Sequence, residues 1–145
     1  GMIAYLDTSA IAKRYLAEAG SAAVEALIRQ SEAVDTSVIA RAEVSAAIAK
    51  AVRIGSLTRA EGEKILRVFR RHWPDMGGLQ VTEALIADAD RLAWDYGLRG
   101  YDAVHLASAL TWQESLDEGV TVATFDQRVW EATQKLGLGV WPESL

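Results

Sequence analysis

The chain has 145 residues, half of them hydrophobic, and a formal net charge of −5 at pH 7. It contains no cysteine and two histidines, which excludes disulfides, thiol chemistry and cysteine zinc sites. Any bound metal is therefore expected to be a hard cation with oxygen ligands. The length fits a single domain, which we assign to residues 2–145 because Gly1 before Met2 looks like a cloning scar.

No basic, apolar leader precedes the first predicted strand, and no apolar run reaches membrane-spanning length. We therefore expect a cytoplasmic protein with no membrane partner, and the absence of cysteine agrees with a reducing compartment. The negative charge argues against nucleic-acid binding by the whole surface but leaves room for a local basic groove.

The first predicted element is a short apolar strand, Ile3–Leu6, which is followed by Asp7, Thr8 and Ser9. An apolar run of this length is typical of a strand buried on both faces. Thr8 or Ser9 is then expected to cap the next helix. Asp7 is expected at the carboxyl end of a central strand, where ligands bind to parallel sheets.

Hydrophobic periodicity, caps and turn residues predict alternating helices and strands along the rest of the chain. The predicted helices are Ala10–Ala17, Ser21–Gln30, Val38–Ile54, one that Thr58 caps and that stops before Pro74, Thr82–Tyr96, Tyr101–Leu116 and Asp126–Leu136. The later predicted strands are Ala33–Thr36, Leu79–Val81, Val120–Thr124 and the edge strand Leu138–Trp141. This alternation implies parallel pairing through right-handed crossovers, and hence the α/β fold class.

Four acidic residues occupy positions where solvated surface charge is not expected, namely Asp7, Glu43, Asp102 and Asp126. Asp7 and Asp126 each follow a predicted strand, so their carboxylates lie close together if those strands are neighbours. Asp102 opens an alanine-rich helix, and Glu43 lies between one and two turns into its own helix. A divalent cation relieves the repulsion of crowded carboxylates, and oxygen-only ligands select Mg²⁺ or Mn²⁺. Such a site suits phosphodiester hydrolysis by an activated water.

Each of these residues also has a purely structural interpretation. Asp102 and Asp126 lie at helix starts, where Asp is a common N-cap, and Asp7 begins an Asp-Thr-Ser turn sequence. Glu43 alone fits a solvated helix face. The metal site is predicted by their combination on one edge of the sheet.

His105 lies one turn after Asp102, so the two side chains are expected to share a helix face. Its role is either that of a general acid or that of a hydrogen-bonded structural histidine. The residues alone leave both interpretations open.

Four segments give the chain a specific resemblance: YLDTSAIAKRY, ARAEVSAAI, YDAVHLASAL and TFDQR. They have the order and spacing seen in PIN-domain nucleases, and the chain resembles most closely the VapC-type toxins of toxin–antitoxin pairs. The resemblance implies a three-layer α/β/α sandwich with a mostly parallel central sheet. It also implies a Mg²⁺- or Mn²⁺-dependent endoribonuclease with an RNA substrate and a cognate antitoxin.

Carried over by motif, the family's three principal acidic residues match Asp7, Glu43 and Asp102, and its fourth, more variable one matches Asp126. Ser9 and Thr124 match hydroxyl positions that help to order the site. A different function class stays open, namely a catalytically silent PIN-fold module that binds RNA or protein. Metal-dependent cleavage would distinguish the two.

Cations near the acidic residues are the candidate contacts to RNA. Arg14 follows Asp7 by about two helical turns, and Arg128 closely follows Asp126. Lys50, Arg53 and the basic face of Lys64–Arg71 form either part of an RNA groove or solvated helix faces. The five tryptophans, with other aromatic residues, favour an apolar dimer or partner surface, and we expect a homodimer.

Overall fold

The structure, a computed structural model, describes every residue from Gly1 to Leu145. Seven helices surround a sheet of four strands. The helices are α1 (Thr8–Tyr15), α2 (Ser21–Gln30), α3 (Ala40–Arg53), α4 (Arg59–Met76), α5 (Glu83–Tyr96), α6 (Gly100–Leu116) and α7 (Gln127–Lys135). The strands are β1 (Met2–Leu6), β2 (Ser31–Asp35), β3 (Thr121–Ala123) and β4 (Gly139–Trp141).

The strands are all parallel and lie in the order β2-β1-β3-β4, so the first and third strands are central neighbours. Leu6 pairs with Ala123, and the amide of Asp7 continues the ladder with a 3.2 Å hydrogen bond to the carbonyl of Ala123. Since parallel strands end at the same edge, Asp7 and Thr124 leave the sheet side by side. This edge positions the site described below.

The alternation of side chains along β1 divides the core into two layers. Ile3 and Tyr5 pack into an apolar cluster with residues of α5, α6 and α7. Ala4 and Leu6 pack on the opposite face with residues of α1, α2, α3 and α4. The predicted three-layer α/β/α sandwich with a parallel central sheet is therefore confirmed.

The predicted strand Leu79–Val81 is wrong. Leu79 forms only an isolated parallel bridge with Ser37, and the following residues join no strand. Other contacts hold the residues on both sides of this segment, so too few residues remain between them for a strand. Asp35 accepts a 2.9 Å hydrogen bond from the amide of Gly78, and Thr82 already caps α5.

The fourth helix also differs from its prediction, because α4 continues past Pro74 to Met76. Met76 is 7% exposed and packs in the same apolar cluster as Trp73, so burial holds the last turn in place. The predicted start is confirmed, since Thr58 and Glu61 form a reciprocal capping box. No helix of this fold combines the length and the apolar character that crossing a bilayer requires.

Candidate active site

The four predicted acidic residues line one cleft of about 450 Å³ at the carboxyl edge of the sheet. They come from the end of β1, from α3, from α6 and from the start of α7. The other polar residues of the lining are Thr8, Ser9, Lys50, Arg53, Arg99, Tyr101 and His105. The fold therefore brings together carboxylates that are far apart in the sequence.

Asp7 is the most deeply buried of the four, with 3% of its surface exposed. It is itself the N-cap of α1, because its Oδ1 accepts a 3.1 Å hydrogen bond from the amide of Ala10. The prediction that Thr8 or Ser9 caps this helix is therefore wrong. The extended backbone of Asp7 places its own carboxylate over the first turn, and Thr8 and Ser9 become helical.

Both predicted supporting hydroxyls contact Asp7. Ser9 donates to its Oδ1 at 2.6 Å, and Thr124 donates to its Oδ2 at 2.5 Å. The Thr124–Asp7 bond ties the ends of β1 and β3 together, and Thr124 also accepts a 3.1 Å hydrogen bond from the amide of Asp126. Ser9 similarly accepts from the amide of Phe125 at 2.8 Å.

Burial raises the pKa of Asp7, while His105 and the two hydroxyl donors oppose that rise. Removing a carboxylate from water disfavours its charged form, and hydrogen-bond donors favour it. Asp7 is thus an oriented but poorly solvated carboxylate. A nearby cation would relieve this cost.

Glu43 lies in the first turn of α3, where two side chains hold the same carboxylate oxygen. The hydroxyl of Thr8 and Nε2 of His105 are each 2.7 Å from Oε1 of Glu43. Desolvation is the largest single influence on the pKa of Glu43 and raises it, but hydrogen bonds from His105 and Thr8 outweigh it and leave the pKa lowered. Glu43 is therefore ionised, and its Oε2 accepts no hydrogen bond.

Arg99 joins the other two carboxylates. Its Nε lies 2.9 Å from Oδ2 of Asp102, and its Nη2 lies 2.7 Å from Oδ2 of Asp126. Burial raises the pKa of Asp102 in spite of the opposing hydrogen bond from Arg99. Asp126 uses its other oxygen to cap α7 by accepting from the amides of Arg128 and Val129.

The side chains are not arranged to hold an ion as they stand, since no three Asp, Glu or His groups surround one point. The reason is visible in the contacts. The Arg99 guanidinium lies between Asp102 and Asp126, while Oε1 of Glu43 is engaged by two donors. Among the carboxylate oxygens of the four acidic residues, Oε2 of Glu43 and Oδ1 of Asp102 have no hydrogen-bond partner.

The two arginines predicted to contact substrate do not line this cleft. Arg14 ion-pairs with Glu25 at 3.4 Å and lines a separate cavity, because α1 carries it about 10 Å along the helix from Asp7. Arg128 lines another cavity beside Asp95 and Glu131. Lys50 and Arg53 lie in the cleft wall instead.

Sequence reasoning missed Arg99 and assigned Thr8 only a capping role. Arg99 is the N-cap residue of α6 and stands three residues before Asp102, a short spacing between opposite charges, so this ion pair had a local signal. The contact of Thr8 with Glu43 joins residues 35 positions apart and had no such signal.

A PIN domain family model matches residues 4–136, so the chain belongs to the PIN domain family. The chain is 36% identical over 143 residues to Ribonuclease VapC45 of Mycobacterium tuberculosis (strain CDC 1551 / Oshkosh) and to Ribonuclease VapC49 of strain ATCC 25618 / H37Rv. These alignments cover 99% of this chain and 97% of each relative.

Ribonuclease VapC46 of Mycobacterium tuberculosis (strain ATCC 25618 / H37Rv) is 32% identical over 136 residues, which cover 94% of both chains. The crystal structure of FitAcB from Neisseria gonorrhoeae is similar in fold, with a TM-score of 0.66 and 22% identity. The structural match covers 95% of this chain and 96% of the FitAcB chain. The predicted resemblance to PIN-domain proteins of the VapC type is confirmed.

Proposed function

We propose that this protein is a metal-dependent endoribonuclease and the toxin of a toxin–antitoxin pair, with residues 2–145 acting as one domain. The observation that carries the proposal is the convergence of Asp7, Glu43, Asp102 and Asp126 in one cleft at the edge of the sheet. The names of the relatives that are 36% identical, both ribonucleases, support the same reaction class.

We assign the four carboxylates as the ligands of a divalent ion, Mg²⁺ or Mn²⁺. The donor set fits such an ion, because hard cations take oxygen ligands and burial has raised the pKa of two of these carboxyl groups. Arg99 has to move away from the carboxylates before the ion can bind. Its side chain is 54% exposed, so it can move into the solvent. In the metal-free arrangement, Arg99 supplies part of the positive charge that the cluster needs.

When bound, such an ion would supply Lewis-acid activation of a water and would neutralise charge on the phosphate. The chain's own residues orient the ligands: Ser9 and Thr124 hold the two oxygens of Asp7, and Thr8 holds one oxygen of Glu43. Rigid ligands of this kind need no reorganisation when charge develops in the transition state.

Lys50 and Arg53 are the proposed contacts to the RNA backbone, since both lie in the cleft wall one turn apart on α3. Arg99 lies over the ring of Tyr101 at 5.1 Å from its centroid. Because Tyr101 lines the cleft, a guanidinium that leaves the carboxylates but keeps this contact stays at the cleft wall. Tyr101 is 48% exposed and offers a face on which a base can stack.

The proposed antitoxin has a mostly apolar groove available beside the cleft. Leu16, Ile54, Leu57 and Phe125 line a cavity of about 670 Å³ that shares Ser9 and Lys50 with the acidic cleft. A segment seated there would also obstruct the cleft. The homodimer stays a prediction, for which the 86% exposed side chain of Trp94 is a candidate contact.

A second candidate function is a PIN-fold binding module that does not cleave. The ion pairs of Arg99 with Asp102 and Asp126 favour it, because they satisfy two of the four carboxylates without a metal. The two functions differ in one measurable property, which is metal-dependent cleavage.

The test incubates structured RNAs with the protein and Mg²⁺ or Mn²⁺, and then with excess chelator. Asp7→Asn and Asp102→Asn are assayed in parallel, and Asp90→Asn, at an exposed position of α5, is the matched control. We expect cleavage that requires metal, is lost in both site variants and persists in the control. Cleavage that survives chelation, or that survives either site substitution, would contradict the proposed mechanism.

A further inference from the structure

We propose that Tyr5 and His105 are positioning residues that fix the orientation of the Glu43 carboxylate through a chain of hydrogen bonds that starts in the core. We call this chain the Tyr5–His105–Glu43 relay. The inference rests on the proposed function, in which Glu43 is a metal ligand. It assigns roles to two residues that do not themselves reach an ion.

The relay crosses three elements of the fold. The amide of Ser37 donates to the hydroxyl oxygen of Tyr5 at 3.1 Å, and that oxygen lies 2.7 Å from Nδ1 of His105. On the other side of the ring, Nε2 of His105 lies 2.7 Å from Oε1 of Glu43. Tyr5 is 0% exposed and His105 1% exposed, so water does not compete for the two contacts of the Tyr5 hydroxyl, whereas Glu43 opens on the cleft.

The donors and acceptors of the relay define one tautomer of His105. The carboxylate of Glu43 can only accept, so Nε2 of His105, which lies 2.7 Å from it, carries a proton. In the neutral ring Nδ1 is then unprotonated and accepts the hydroxyl hydrogen of Tyr5. The Ser37 amide donates to the same Tyr5 oxygen and holds that hydroxyl in place.

The consequence for Glu43 is a carboxylate with one oxygen held and the other free. Oε1 receives hydrogen bonds from both His105 and Thr8, whereas Oε2 accepts none and belongs to a residue of the cleft lining. Outer groups that orient a metal ligand typically change metal affinity by about 10-fold to 100-fold when they are removed. The relay is therefore expected to act on metal affinity.

The chain contains a matched control for this geometry. Its other histidine, His72, has its Nδ1 2.8 Å from the hydroxyl of Tyr15 in a cavity outside the acidic cleft. Tyr5→Phe and Tyr15→Phe each remove one hydroxyl from a Tyr–His pair. The first removal is expected to affect the site, and the second is not.

The first measurement uses ¹⁵N NMR of the two histidines of the full chain at neutral pH, with His72→Gln to assign the signals. We expect His105 to show protonated Nε2 and unprotonated Nδ1. In Tyr5→Phe, we expect the His105 signals alone to shift, and in Tyr15→Phe, the His72 signals alone. A wild-type His105 with its proton on Nδ1 would overturn the relay without recourse to any variant.

The second measurement is Mn²⁺ affinity, read from the EPR signal of free Mn²⁺. We expect about 10-fold weaker binding in Tyr5→Phe and unchanged binding in Tyr15→Phe. His105→Gln, which keeps an N–H donor for Glu43, is expected to bind Mn²⁺ more tightly than His105→Ala. Circular dichroism confirms that each variant is folded before it is compared.

The outcomes separate the relay from the function on which it rests. Wild-type affinity in folded Tyr5→Phe, with binding abolished in Asp7→Asn, would refute the relay and leave the metal site standing. Weakened Mn²⁺ binding in Tyr5→Phe, in a protein that cleaves no RNA, would support the relay and refute the proposed nuclease activity.

Discussion

Arg99 has the most unusual surroundings of any single residue in the cleft, since its guanidinium ion-pairs with Asp102 and Asp126 at once. The same two carboxylates are assigned as metal ligands. A guanidinium and a divalent ion compete for the same oxygens. The residue that stabilises the metal-free site is therefore expected to weaken metal binding.

Arg99→Gln is expected to tighten Mn²⁺ binding by on the order of fivefold, because Arg99 is itself 54% exposed and ion pairs open to solvent on one side contribute about 0.2–1 kcal/mol each. Isothermal titration calorimetry measures the change. Arg91→Gln removes the same charge from a pair with Asp88 on α5 and is the control. Weaker binding in Arg99→Gln would show instead that Arg99 holds Asp102 and Asp126 in their binding positions.

Asp7 is expected to make the stability of the metal-free protein depend on pH. Its folded-state pKa is raised above the unfolded value, so the stability that its neutral form contributes is present below the unfolded pKa and is lost as the pH rises through the folded one. Asp7→Asn carries no charge at any pH. We therefore expect the Tm of Asp7→Asn minus that of the wild type, in chelator, to increase with pH.

Thermal melts at intervals from about pH 4 to pH 8 measure this difference, starting near the unfolded pKa of Asp at about 3.9. Comparing two proteins at each pH cancels the titrations that they share. A constant difference across the range would mean that burial does not raise the pKa of Asp7. Asp90→Asn, at an exposed position, controls for the loss of one carboxylate.

Among the elements, α3 contributes the most residues to the cleft lining, including Glu43, Lys50 and Arg53. Its position depends on close packing against α4. A Cβ atom added at Gly62 of α4 would overlap Cγ2 of Val52 on α3. Val52 is β-branched and cannot easily rotate away.

Gly62→Ala is therefore expected to destabilise the protein by about 1–3 kcal/mol, despite the better helix propensity of alanine. Denaturant unfolding gives the free energy. Gly119→Ala, where an added Cβ meets nothing within 4 Å, is the matched control and is expected to change stability little. Equal stability of the two variants would mean that α3 can move away from α4 without lowering the free energy of unfolding.

At the scale of the whole molecule, the net charge of −5 has the same sign as the phosphate charges of the proposed RNA substrate. Binding of RNA then depends on where the cations lie. Lys50 and Arg53 are in the cleft wall, while Lys64 and Arg67 are exposed on α4 and do not line the cleft. The distribution of charge, and not its sum, is expected to decide binding.

The double variant Lys50→Gln/Arg53→Gln is expected to raise the KM for RNA cleavage on the order of tenfold with little change in kcat. Its binding is also expected to depend less on salt, since each lost single-strand phosphate contact reduces the slope by about 0.7. Lys64→Gln/Arg67→Gln has the same net charge and is the control. Equal effects of the two double variants would indicate a general electrostatic field and no specific contact.

The sequence by itself determined the local features of this protein. Seven helices, the strand before Asp7, the capping box at Thr58 and the parallel α/β class follow from periodicity and short-range hydrogen bonding, which act within a few residues. The four acidic residues were also recognisable, because each stands where a strand ends or a helix begins, or among small apolar residues.

Only the tertiary structure decided which groups meet. Strand pairing between β1 and β3 brought Asp7 beside Thr124, and the packing of α6 against that edge brought His105 to Glu43 and Arg99 to Asp126. The tertiary structure also places Arg14 and Arg128 outside the cleft. These contacts join residues remote in sequence, and no local propensity encodes them, because they form only when the burial of two apolar layers fixes the distances between elements.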